Sequence, residues 1–176
     1  MALAPRGMGR LESGDAVLSR TKYIRSGSRG FWAYDVALDV FLKHLIDAAE
    51  ASDQAKTEWL SAAIESWRVA CTPDYGLELD PGWSPANRQT FVALAEEASA
   101  RLAQRASIPA EEIVGWRVLD DLRFYTRGDT EVVTTPVVEL GRAIVALVSG
   151  ELPEAPSGTV WLFGTPEGRQ TIGMKS

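Results

Sequence analysis

Apolar and polar positions alternate at helical spacing over much of the chain, and the clearest stretch is Phe31 to Cys71. From Phe31 to Glu50, Tyr34, Leu38, Phe41 and Leu45 recur at steps of four, three and four, which places them on one helical face. Leu42, Ala48 and Ala49 widen that face, while Asp35, Asp39, Lys43 and Asp47 form the opposite stripe. Asp39 ahead of Lys43 is the favourable order for such a pair. Val36, Val40 and Ile46 lie within or beside the polar stripe, so this helix is apolar on nearly every side and is expected at the centre of the fold. A second helix, capped by Ser52 or Asp53, carries Trp59, Leu60, Ala63, Ile64, Trp67, Ala70 and Cys71 on one side and Glu58, Ser61, Glu65 and Arg68 on the other. Pro73 stops it. The short connection predicts an antiparallel helical hairpin, with Trp59 and Trp67 among its costliest residues to truncate.

The remaining elements follow from the same pattern. Ala16 to Ile24 is a strand candidate, and Ser26-Gly27-Ser28-Arg29-Gly30 reads as a flexible entry loop; the alternative is an anion cradle at the helix start. Residues 72–83 form a loop of turns rich in proline and glycine. Ser84-Pro85 starts a helix running to about Ala106, with Phe91, Leu94, Ala95, Ala98 and Leu102 as its stripe. Ser107-Ile108-Pro109 breaks it. A short helix at Glu111-Glu112 and a β-hairpin are expected next, pairing Leu122–Arg127 with Thr130–Thr134 across Gly128-Asp129. Thr135-Pro136 begins a helix with Leu140, Ile144, Leu147 and Val148 inward and Gly150 at its end. Thr159–Gly164 and Arg169–Met174 read as two strands joined by a turn at Thr165-Pro166-Glu167-Gly168. The sum is an α+β fold: about four main helices around a central helical hairpin, with one or two small antiparallel sheets. The expected division is a mobile basic segment over residues 1–30, including the strand candidate, and one α+β domain over 31–176.

Charge changes the picture of partners. The 176 residues carry a net charge of −6. Residues 1–30 hold six Lys/Arg against two acids, and the remainder twelve against twenty-two, so a basic start precedes a body of −10. An acidic body repels phosphates and attracts basic proteins, which argues against nucleic acid as a partner. There is no run of eighteen apolar residues to span a membrane and no signal-peptide pattern, and one cysteine permits no internal disulfide; together these give the expectation of a cytoplasmic protein.

Candidate chemistry is sparse. The single histidine, His44, sits at a helix edge, and one His and one Cys cannot assemble a zinc site. No phosphate loop, dinucleotide fingerprint or serine elbow occurs. No catalytic residue, metal or cofactor is assigned. Asp35 and Asp39 share a helical face and are the carboxylates best placed for metal binding or acid–base work, which keeps a small carboxylate- or metal-dependent enzyme as an alternative. The loop at 72–83 offers Tyr75, Glu78, Asp80 and Trp83 as a contact patch for a basic protein, since aromatics anchor interfaces and charges steer approach. The competing arrangement folds Tyr75 and Trp83 back onto the core.

The tail Leu147-Val148-Ser149-Gly150-Glu151-Leu152-Pro153, with Val160-Trp161-Leu162-Phe163-Gly164 and the returning strand, resembles the tails of small bacterial immunity-type proteins. That resemblance implies a protein that binds a cognate toxin domain, basic in character, and blocks it. A third alternative is an oligomeric scaffold or secretion chaperone that buries exposed aromatics at a self-interface.

Overall fold

The structure, a computed structural model, describes residues 20–119 and 121–174. The chain opens with a hairpin. Strand β1 (Thr21–Ser26) pairs antiparallel with β2 (Arg29–Tyr34) in the register Ile24 to Phe31. Gly27 and Ser28 make the turn, and Gly27 takes the positive φ of +62° that the first central position of a tight hairpin turn favours. The expected entry loop is therefore a hairpin turn. Arg29, offered for an anion cradle, instead donates to the carbonyl of Leu152. Residues 20–30 join the sheet rather than standing apart from the fold; residues 1–19 of the expected mobile segment, including the start of the strand candidate, lie outside the described residues.

The first helix, α1 (Asp35–Glu50), starts four residues later than its periodicity suggested. Residues 31–34 alternate instead: Phe31 and Ala33 are buried against the helices, and Trp32 and Tyr34 face the other way. Pairing to β1 settles the conflict, because a period of two satisfies both faces of a sheet. Helix α2 (Glu58–Ala70) follows, then β3 (Leu77–Leu79), α3 (Pro85–Ala103), β4 (Ser107–Pro109), the short α4 (Ala110–Val114), β5 (Glu131–Val133), α5 (Thr134–Val148), β6 (Thr159–Phe163) and β7 (Gln170–Gly173). The four long helices and the α+β class are as expected. The Ser84 hydroxyl caps α3 by accepting from the Asn87 amide at 3.1 Å, and Gly150 closes α5 at φ +72°.

Two parts of the topology differ. Among the described residues the main sheet has five strands in the order β3-β1-β2-β6-β7, and β1 with β3 and β2 with β6 run parallel. The sheet is mixed because elements far apart in sequence insert beside the first hairpin. The terminal hairpin, β6 with β7, forms as predicted. The hairpin expected across 122–134 does not. β5 pairs with Ser107–Pro109, a segment expected only to interrupt a helix, while 122–126 join no strand. Ile108 and Val132 are buried opposite one another in that small sheet.

The core lies between the main sheet and the helices. Ile24, Phe31, Ala33, Leu77, Leu79 and Phe163 project from the sheet into it. α1 is central, as its all-round apolarity required: it packs on α2, α3, α5 and the first hairpin. Its packing against α3 and α5 is at least as extensive as that against α2, so α1 and α2 do not stand out as a central hairpin. Trp67 is buried at the α2–α3 contact beside Phe91, whereas Trp59 is only half-buried.

Candidate functional site

A cleft of about 1150 Å³ opens between two walls. One wall is the β1–β2 hairpin, the first turn of α1 and the loop from Cys71 to Gly76. The other is Val114 with the segment Arg123–Gly128. Its floor is a buried ion pair. Lys22 alternates onto the core side of β1, and its Nζ reaches Asp39 Oδ1 at 3.0 Å and the Ala70 carbonyl at 2.7 Å. Only 7% of the Lys22 side chain is exposed, so both ends of this pair are desolvated. Burial pushes the Asp39 carboxyl up to about 7 against the opposing pull of Lys22. Beside it, burial pushes the Cys71 thiol up to about 12, with the Asp39 charge adding to the effect. A thiol so held is almost entirely protonated and a poor nucleophile.

One turn earlier on α1, Asp35 faces the opposite wall. Its Oδ2 accepts from Arg127, with Nε at 3.2 Å, and its Oδ1 accepts from the Val36 amide at 2.7 Å. The Asp35–Asp39 face predicted from spacing thus does line a cleft, with each carboxylate already engaged by a cation. Tyr23 and Trp32, cross-strand partners in the β1–β2 register, contribute an edge-to-face ring pair 5.1 Å apart. At the rim, Tyr75 is 57% exposed and Tyr125 70% exposed. Among the described residues, the two non-glycine positions with a left-handed backbone, Asp74 at φ 70° and Arg127 at φ 57°, both line this cleft. Such conformations persist only where the surroundings enforce them.

The loop patch predicted from sequence is divided. Tyr75 stands at the cleft rim. Glu78, on β3, pairs with Arg25 at 2.9 Å, and Asp80 Oδ1 accepts from the Gly82 amide at 2.7 Å. Trp83 folds back onto Trp59 and Phe91, with ring centroids 5.7 and 5.0 Å away. Glu78, Asp80 and Trp83 do not line the cleft. The sequence reading missed Tyr23, Trp32, Arg123, Tyr125 and Arg127. For Arg123, Tyr125 and Arg127 the signal was an aromatic and basic cluster at 123–127, in a stretch expected to be a strand.

His44 lies elsewhere. Its Nδ1 is 2.8 Å from the Val40 carbonyl and its ring packs edge-on to Trp116, and burial lowers its pKa. Among the described residues no cluster of three or more His, Cys, Asp or Glu side chains is positioned to hold a metal ion. Among the same residues no helix is long and apolar enough to cross a membrane. Comparison with protein-family models, with curated proteins and with solved structures returns no match.

Proposed function

We propose that this is a cytoplasmic, non-enzymatic binding protein that neutralises a basic protein partner, a toxin domain in the manner of immunity proteins, and that the partner seats on the cleft rim. The observation carrying this reading is the gathering of Tyr75 and Tyr125, both largely exposed, with Arg123 around a cleft whose reactive groups are engaged. Tyrosine and arginine are the side chains that dominate interface energetics. Asp35 and Asp39 each hold a cation, and the Cys71 thiol is kept protonated. The cleft lining balances Lys22, Arg123 and Arg127 against Asp35, Asp39 and Asp74. Attraction of a basic partner therefore comes from the chain's overall charge of −6, and grip comes from the aromatics.

The test is affinity capture from the native host, with the product of the gene immediately upstream as the first candidate. The wild-type protein should retain a basic protein that a Tyr75→Ala/Tyr125→Ala variant binds at least about tenfold more weakly, the scale of two interface anchors. Recovery of no protein partner by the wild type would sink the reading.

One observation favours a second reading. A buried carboxyl poised near neutrality in a cleft is a common attribute of an acid–base catalyst, and Asp39 is such a group. In that reading the protein is a small carboxylate enzyme. Any turnover found in a substrate screen must then vanish in Asp39→Asn while the fold persists.

A further inference from the structure

We propose that the segment 123–126 is a docking strand: an extended, lysine-bearing stretch of the partner lies in the cleft and pairs with it main chain to main chain. The proposal rests on the binding role given to the cleft above and states how the partner is held there.

Side chains along this cleft wall alternate as they do on a strand. Arg123 and Tyr125 are exposed, and Phe124 and Thr126 are buried. Yet the segment joins neither sheet. Among the described residues no hydrogen bond reaches the backbone N–H or C=O of Arg123, Phe124 or Tyr125. The Thr126 carbonyl is engaged by the Asp129 amide at 3.1 Å, where the chain turns. Both edges of a strand are thus open over three residues. Phe124 anchors them, buried edge-on to Trp116 with ring centroids 6.0 Å apart. An unpaired strand edge is a template for another chain. Strand addition draws affinity from main-chain hydrogen bonds and specificity from alternate side chains.

The occupant's character follows from the rim. Tyr75 on the facing wall and Tyr125 on the segment are exposed aromatics able to cover apolar side chains of an added strand. Asp74, next to Tyr75, is exposed and makes no ion pair among the described residues, and the same holds for Arg123. The mouth therefore offers one open charge of each sign. The chain's net charge of −6 tips the preference to a basic segment, which Asp74 meets.

The probe is a pool of short capped peptides in which lysine and threonine alternate with valine, isoleucine, tyrosine or phenylalanine. It is titrated into the full chain while amide hydrogen exchange is followed by NMR. At about ten times the dissociation constant, exchange should slow about tenfold. The slowing should fall on alternate amides, either Arg123 and Tyr125 or Phe124 and Thr126, because a strand pairs along one edge. A pool methylated at every backbone nitrogen should not bind. Asp74→Asn should weaken binding by up to about fivefold, the scale of one exposed ion pair, and leave a pool with glutamine in place of lysine unaffected. No slowing at 123–126 with millimolar peptide would overturn the docking strand, as would slowing without alternation or binding that survives methylation. Equal affinity for the lysine and glutamine pools would overturn its basic preference. Slowing that needs no peptide and grows with protein concentration would assign the edge to a second copy of this chain and overturn the proposal too. The outcome separates from the partner reading. Alternating protection in a protein that captures no partner keeps the docking strand and removes neutralisation. A captured partner with unaltered exchange at 123–126 does the reverse.

Discussion

Lys22 Nζ lies 3.0 Å from Asp39 Oδ1 and 2.7 Å from the Ala70 carbonyl, so one ammonium ties β1 to α1 and to the last turn of α2. The carbonyl end of a helix is the favourable pole for a cation, which explains how a lysine is tolerated on the core face of a strand. Removing one partner of such a pair strands the other charge in a dry site. Asp39→Ala should therefore destabilise the fold by about 3–5 kcal/mol near pH 8. The double variant Lys22→Met/Asp39→Leu, with both charges gone, should lose clearly less. Urea unfolding of the two single variants and the double variant measures this, and a double as costly as the sum of the singles would contradict the pairing.

The same carboxyl predicts a pH dependence. Its folded pKa is raised to about 7 by burial, while an unfolded aspartate titrates near 3.9. Between these values the folded chain binds more protons than the unfolded one, so stability falls as pH rises. The contribution is fully present below about pH 4 and is lost as pH climbs through 7. Subtracting the unfolding free energy of Asp39→Asn from that of the wild type at each pH isolates the effect. The difference should decline across pH 4–7 and level off above it.

Gly141 on α5 is fixed by packing. A Cβ there would lie 2.6 Å from Phe41 Cε2 and 2.7 Å from Ser99 Oγ, at the crossing of α1, α3 and α5. Alanine gains up to about 1 kcal/mol of helix propensity over glycine, but overpacking of this kind costs about 1–3 kcal/mol. The clash should win, and Gly141→Ala should lower the melting temperature. A rise would show that the three helices can separate slightly without loss.

The helices were legible because their apolar stripes extend over several turns, and the burial of Leu38, Leu45, Phe91, Leu102 and Ile144 follows those stripes. Phe31–Tyr34 was misread because Tyr34 continues the α1 stripe by spacing, and only pairing with β1 decides between periods of two and four. Strand partners were the weakest point. Ser107–Pro109 carries a single strong apolar residue, Ile108, and its match to Val132 is a contact across twenty-four positions that no local pattern encodes. The cleft was half visible. The shared face of Asp35 and Asp39 was readable from helix geometry. Lys22 and Arg127, which approach that face from other elements, were not.

Trp67 and Trp59 looked equivalent in sequence, and the fold separates them. Trp67 is 1% exposed and packs beside Phe91 at 5.8 Å. Trp67→Ala should cost about 3–5 kcal/mol through lost burial and the cavity left behind. Trp59 is half-buried and should cost about half as much when truncated. Denaturant midpoints of the two variants at unchanged slope give the comparison, and equal losses would mean that Trp59 is more deeply packed than its exposure indicates.

Tyr75 and Trp83 flank the same loop and separate binding from stability. Trp83 contacts Trp59 and Phe91, whose ring is fully buried, so Trp83→Ala removes part of an aromatic cluster that reaches the core. It should destabilise by about 1–3 kcal/mol, the range for large-to-small changes at partly buried aromatic contacts. Tyr75 is exposed at the cleft rim and its truncation should change stability by less than about 0.5 kcal/mol. For a partner seated on the cleft, the order reverses. Tyr75→Ala weakens capture, and Trp83→Ala, once measured below its own unfolding midpoint, leaves capture unchanged. Thermal unfolding paired with titration of the captured partner reads both quantities on one set of samples. Partner affinity that follows Trp83 and ignores Tyr75 would move the contact surface from the cleft to the α2–α3 side of the loop.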